Sequence, residues 1–257
     1  MVNVEVMMMG SIHIKEEEFL AEHFRYYSRN DGKILEVIRG EDLQTKKGVQ
    51  QTLDGMHIFM QSESLLTTAS LLSKRYGYYI ATVPLALITI FNKSPNMSPN
   101  NTELVRMDEN LKWFPKFRLL SKDVSEPKGK TREEWMREEL EILFKFHVHP
   151  FFLHINQLTR LSMDVMWENI AIYIFWFYER QLQEWYDADT VKVMKHDFKL
   201  IVNQLPGEVF GTTTNPFSYF QDQPLLPTEA RKRKCCCLSY KLYDESIYCK
   251  VCPHLIK

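Results

Sequence analysis

The run from Val165 to Leu182 is apolar nearly all round a helical wheel, and it constrains the fold more than any other stretch. A helix without a polar stripe must be covered on every side, so it belongs at the buried centre of a bundle. Ser162 stands where its N-cap would be. Upstream, Thr131 and Glu134 form a capping box, followed by Trp135, Leu140, Leu143 and Phe144 at helical spacing. Pro150 marks a break, with a new helix running to about Arg160. Asp189 caps a further helix carrying Val193, Met194, Phe198, Ile201 and Val202, which Pro206 and Gly207 end.

The N-terminal part is more mixed. Ile14 to Ser28 and Ser62 to Arg75 read as helices, and Gly32 to Arg39 as a short strand or turn. Tyr78 to Phe91 fits either a buried helix broken at Pro84 or a pair of buried strands. A polar loop with Pro95 and Pro99 follows, then strands at Glu103 to Met107 and Leu111 to Leu120, and a second loop at Glu126 to Lys130. Pro206 to Pro227 should be a loop. The expected fold class is α+β: a mainly helical body with a small antiparallel sheet and a C-terminal cysteine hairpin. The body spans 1–230, with 92–130 as the place where it would subdivide, and 231–257 forms the cysteine motif.

At 257 residues the chain can bury a core that needs no disulfides. Its five cysteines nevertheless all fall within 235–252, as Cys235, Cys236, Cys237, Cys249 and Cys252. Charge is skewed in the same place. Residues 231–257 hold seven Lys/Arg against two acids, whereas the other 230 residues hold 25 basic and 31 acidic residues. An acidic body excludes nucleic-acid binding by the whole surface and leaves the basic run Arg231 to Lys234 as a place to meet an anion. Met1 to Lys15 lacks the basic start of a secretory signal, and Tyr78 to Phe91 is too short and broken to cross a bilayer. A cytoplasmic protein with at most peripheral membrane contact is expected, and its thiols should serve a metal or redox chemistry rather than disulfides.

Cys249-x-x-Cys252 is a common metal-binding spacing, because two intervening residues let both thiolates reach one centre. Adjacent cysteines are unusual ligands. Neighbours in a strand point to opposite faces, so they share a centre only where the backbone bends, and a binuclear cluster is an easier target than one ion. Leu238 to Tyr243 and Ser246 to Tyr248, flanking Asp244-Glu245, could fold the two halves together as a hairpin.

The run Cys236-Cys237-Leu238-Ser239-Tyr240-Lys241-Leu242, followed by Cys249-x-x-Cys252-Pro253, resembles the C-terminal signature of the FhuF-like ferric siderophore reductases. Lys234 ahead of the pair fits the same pattern. His149-Pro150 through Leu161-Ser162 and Trp167-x-Asn169 resemble, less specifically, that family's helical body, itself similar to the C-terminal domain of aerobactin-type siderophore synthetases. The resemblance implies a 2Fe-2S cluster held by Cys236, Cys237, Cys249 and Cys252. It also implies one-electron reduction of a ferric siderophore, with a separate electron donor such as a ferredoxin or flavoprotein. Two departures stand out: the spacer of 11 residues between Cys237 and Cys249 is one longer than is typical, and Cys235 is an extra neighbour that could replace one member of the pair.

Other readings stay open. The thiols also suit a structural zinc site in a non-catalytic interaction protein. Cys-Cys-Cys beside a basic run resembles a lipidated tail, although that leaves Cys249 and Cys252 unexplained. His147, His149 and His154 do not share a helix face and read as satisfied or exposed side chains. Tyr173, Phe175, Trp176, Phe177 and Tyr178 read as core rather than as a ligand shelf. No nucleotide- or flavin-binding motif is visible, so catalytic residues beyond the cluster ligands are not expected.

Overall fold

Capping and burial explain where the helices lie. The computed structural model describes residues 10–27, 32–107, 112–181, 186, 188–226, 230–242 and 248–255. Helix α1, Ile14–Phe24, ends earlier than expected because Arg25 turns left-handed at φ 55°. Helix α2, Lys46–Met60, was not expected. Thr45 caps it by accepting from the Gly48 N–H, and Val49, Leu53, Met56 and Met60 form its buried face. Ser64 caps α3, Leu65–Phe91, a single 27-residue helix that runs straight through Pro84. The ambiguity at Tyr78 to Phe91 is thus resolved as helix. Pro84 lacks only one N–H, and burial of nearly every side chain on both flanks offsets that loss.

The two long central helices set the architecture. Helix α4, Arg132–Leu143, carries the expected Thr131–Glu134 capping box. It leads through a π-helical turn, Phe144–Val148, into α5, His149–Thr159. Pro150 therefore marks a widened turn rather than a break, since the looser turn accommodates the missing donor. Ser162 caps α6, Met163–Trp176, which continues as a second π-helical turn, Phe177–Gln181. Helix α6 packs along α3 and buries Met166 to Ala171, Ile174 and Phe175, but it is not covered on every side as expected, because Ile172, Tyr173 and Trp176 are half-exposed and line a cavity. Gly77 sets their approach, because a Cβ there would fall 2.9 Å from Ile170 Cγ1. Helix α7, Ala188–Lys199, widens into Leu200–Gln204 before Pro206; the side chain of Asp189, its expected cap, lies outside the described residues. Residues 206–226 are mostly irregular, with a short helix α8, Ser218–Gln221. Buried Asp197 ties α7 to the rest, accepting from Arg132 Nε at 2.9 Å and from Thr89 Oγ1 at 3.0 Å.

The strands form two small antiparallel sheets among the described residues. In one, β6 (Asp123–Ser125) lies between β1 (Gly10–Ser11) and β3 (Ser94–Pro95). In the other, β4 (Thr102–Arg106) lies between β2 (Glu36–Arg39) and β5 (Lys116–Leu119), with Leu104 opposite both Ile38 and Phe117. The protein is α+β and mainly helical. No helix among the described residues is long and apolar enough to cross a membrane.

Candidate metal centre

The cysteine segment closes against the faces of α3 and α6. On α3, Ser70, Ser73 and Lys74 follow the i, i+3, i+4 spacing that puts them on one side of the helix. Ser70 Oγ donates to the Cys237 carbonyl at 2.7 Å, and Lys74 Nζ lies 3.5 Å from Cys237 Sγ. Asn169 on α6 crosses to α3, its Nδ2 donating to Ser73 Oγ at 2.9 Å. These contacts make the two helices one platform.

The basic run does not form a single exposed patch. Arg233 is 1% exposed. Its Nε donates to Glu168 Oε1 and to the Cys235 carbonyl, both at 3.0 Å, and its Nη2 donates to Asn169 Oδ1 at 2.8 Å. Glu168 is itself buried and accepts from the Cys235 backbone N–H at 3.0 Å and the Tyr219 hydroxyl at 3.1 Å. Arg231 pairs with Glu179, Nη2 to Oε1 2.5 Å. Two of the four cations expected to act as a surface thus hold the segment in place instead.

A turn supplies the bend that adjacent ligands require. Leu238 is left-handed at φ 57°, and its N–H donates to Cys236 Sγ at 3.4 Å. The expected hairpin arm is then a short 3-10 turn, Ser239–Lys241, because the left-handed residue reverses the chain before a strand can extend. Tyr243 to Ile247 lie outside the described residues. The two halves still meet: the Arg233 N–H donates to the Val251 carbonyl at 3.2 Å, and Tyr240 stacks on Tyr248 at 4.8 Å.

The thiols interact in two pairs, Cys236 with Cys252 and Cys237 with Cys249. The Cys249 thiol donates to Cys237 and holds it well below the ordinary thiol range. Burial opposes this, and Lys74, Arg233 and the Ser239 hydroxyl at 3.1 Å support it. The same contact, with burial, pushes Cys249 up. Burial also pushes Cys236 up. Cys235 stands apart from these pairs, beside Glu168, Asp164, Tyr219 and Lys234, and burial followed by the Glu168 charge pushes it up to about 11.

The chain matches no family model and no curated protein sequence.

Among the described residues no group of three or more His, Cys, Asp or Glu side chains is arranged to hold a metal ion. The thiols approach in pairs, and a binuclear centre takes two thiolates at each metal. Buried Arg233 Nη1 has no hydrogen-bond partner among the described residues, and its charge acts on Cys237 and Cys249. A buried cation with an unused donor beside thiols suits an anionic group bound there.

The other sequence candidates lie elsewhere. His147 is buried between the Met97 carbonyl, 2.6 Å from Nδ1, and the Tyr76 hydroxyl. His154 Nε2 meets the Gln44 carbonyl at 3.0 Å, and His149 packs against Gly211. The aromatic run divides: Phe175, Phe177 and Tyr178 are buried, whereas Tyr173 and Trp176 are half-exposed and, with Phe175, line a cavity. Sequence reasoning missed Ser70, Ser73, Lys74 and Glu168, for which the only signal was polar residues inside otherwise apolar helices.

Proposed function

We propose that Cys236, Cys237, Cys249 and Cys252 hold a 2Fe-2S cluster and that the protein is a cytoplasmic ferric siderophore reductase of the FhuF-like type. The observation that carries this reading is the meeting of the four thiols in two pairs against buried Arg233 and part-buried Lys74. When bound, such a cluster supplies one-electron transfer. The substrate is Fe(III) in a siderophore. One electron from a ferredoxin or flavoprotein donor converts it to Fe(II), which a chelator built of hard oxygen donors holds far less well.

The chain's own residues supply the setting. Glu168 and Arg233 anchor the adjacent cysteines, and the Leu238 N–H together with the Ser239 hydroxyl donates towards sulfur, which stabilises thiolate charge. Lys74 and Arg233 offset the negative charge of four thiolates. Cys235, committed to the neighbourhood of Glu168, is not a ligand in this reading.

Anaerobic purification followed by an absorption spectrum, iron and sulfide assays, and single-turnover reduction of a ferric siderophore tests it. Two irons and two sulfides per chain are expected. A colourless protein with stoichiometric zinc and no sulfide overturns the reductase in favour of a structural zinc site.

A further inference from the structure

Charge is divided by position along this chain. Residues 231–257 carry a net charge of +5 even with Asp244 and Glu245 counted, and the other 230 residues carry a net charge of -6. Arg231 and Arg233 are taken up by Glu179 and Glu168. Lys234, Lys241 and Lys250, by contrast, are exposed and make no ion pair among the described residues. All three stand close to the thiols: Lys234 directly precedes Cys235, Lys250 directly follows Cys249, and Lys241 comes four residues after Cys237. Cys236 and Cys249 are themselves half-exposed, so the cations border the accessible edge of the thiol centre.

The groups between these lysines narrow the partner. Tyr240 and Tyr248 are half-exposed and stack at 4.8 Å, His254 lies 5.7 Å from the Tyr240 ring, and Lys241 Nζ stands 5.9 Å from the same ring. An aromatic centre with a charged rim is the anatomy of a protein interface. A membrane surface asks for more apolar side chains than the segment offers, since Leu255 is the only large hydrophobic exposed there among the described residues. Asp164 shares a cleft with Lys234 and offsets it in part, which leaves Lys241 and Lys250 as the main cations. A negative partner is drawn to this face and repelled by the acidic body, so the two charges together orient it onto the thiol edge.

We propose that the surface of Tyr240 and Tyr248, rimmed by Lys234, Lys241 and Lys250, docks an acidic one-electron carrier protein beside Cys249. The assignment rests on the reductase reading for its purpose, but the docking itself needs no electron transfer. Isothermal titration of the protein as isolated uses two acidic carriers, an oxidised plant-type ferredoxin and a flavodoxin, with the basic cytochrome c as a control of opposite charge. At least one acidic carrier should bind, and binding should weaken roughly tenfold between about 50 and about 300 mM salt. The triple variant Lys234→Gln/Lys241→Gln/Lys250→Gln should weaken it roughly tenfold, whereas Lys47→Gln, at an exposed lysine of α2, should leave it unchanged. Every substituted side chain is exposed, so the variants keep their fold. Binding of neither acidic carrier, equal binding of cytochrome c, an affinity that ignores salt, an unaffected triple variant, or tighter binding to phosphatidylserine vesicles overturns the proposal. A zinc protein that still binds a carrier through these lysines removes the reductase and leaves the docking surface. A 2Fe-2S protein that reduces a ferric siderophore with a chemical reductant yet binds neither carrier removes the surface alone.

Discussion

Arg233 and Glu168 form an ion pair in which neither side chain is exposed, with Nε 3.0 Å from Oε1. Removing one partner of such a pair leaves the other charge buried and uncompensated, which costs about 3–5 kcal/mol. Glu168→Ala should therefore release the cysteine segment, visible as a lower melting temperature and faster proteolysis near residue 233. The double variant Glu168→Ala/Arg233→Leu should recover part of that loss, because no stranded charge remains.

Cys235 and Cys237 differ in what surrounds them, although only Cys236 separates them. Cys237→Ser should abolish most iron and sulfide binding, whereas Cys235→Ser should retain both. Iron and sulfide assays on the two purified variants check this, and a normal cluster in Cys237→Ser would reverse the assignment.

Lys74 reaches Cys237 Sγ from a helix 163 positions earlier in the chain. A cation there favours the more negative, reduced state of a bound cluster, so Lys74→Met should lower its reduction potential by tens of millivolts. Lys74→Arg should restore most of the difference. A redox titration followed by electron paramagnetic resonance reads the shift directly, independently of turnover.

Burial pushes His147 from its ordinary 6.5 down to about 4. Below pH 6.5 the unfolded chain takes up a proton that the folded protein refuses, so stability is lost as the pH falls from about 6.5 to about 4. The full loss is roughly 3 kcal/mol and is complete below that window. Chemical denaturation at pH 7, 5 and 4 should show this decline. In His147→Gln, whatever its stability at neutral pH, the decline over the same interval should be smaller.

The parts of the molecule that were legible in the sequence share one property: their signals are local. Thr131 and Glu134 cap α4 from three residues apart, Ser162 caps α6, and the five cysteines fall within one short segment. Helix α2 was also written locally, in Thr45 and the Val49, Leu53, Met56, Met60 spacing, but Gly48 and Gly55 obscured it. Pro84 and Pro150 misled because burial and π-helical turns absorb a missing donor at positions where an isolated helix would end. The platform under the thiols could not be read. Ser70, Ser73 and Lys74 look like an ordinary polar edge until the fold brings Asn169 and Cys237 against them.

The docking of the cysteine segment on α3 and α6 also ties it to the packing of those helices. Ser70 and Glu168 stand on different helices, so both grips on the segment are in place together only once those helices have packed. The segment thus rests on a surface that two helices make jointly, and a fault in their packing would reach the thiols without touching a cysteine.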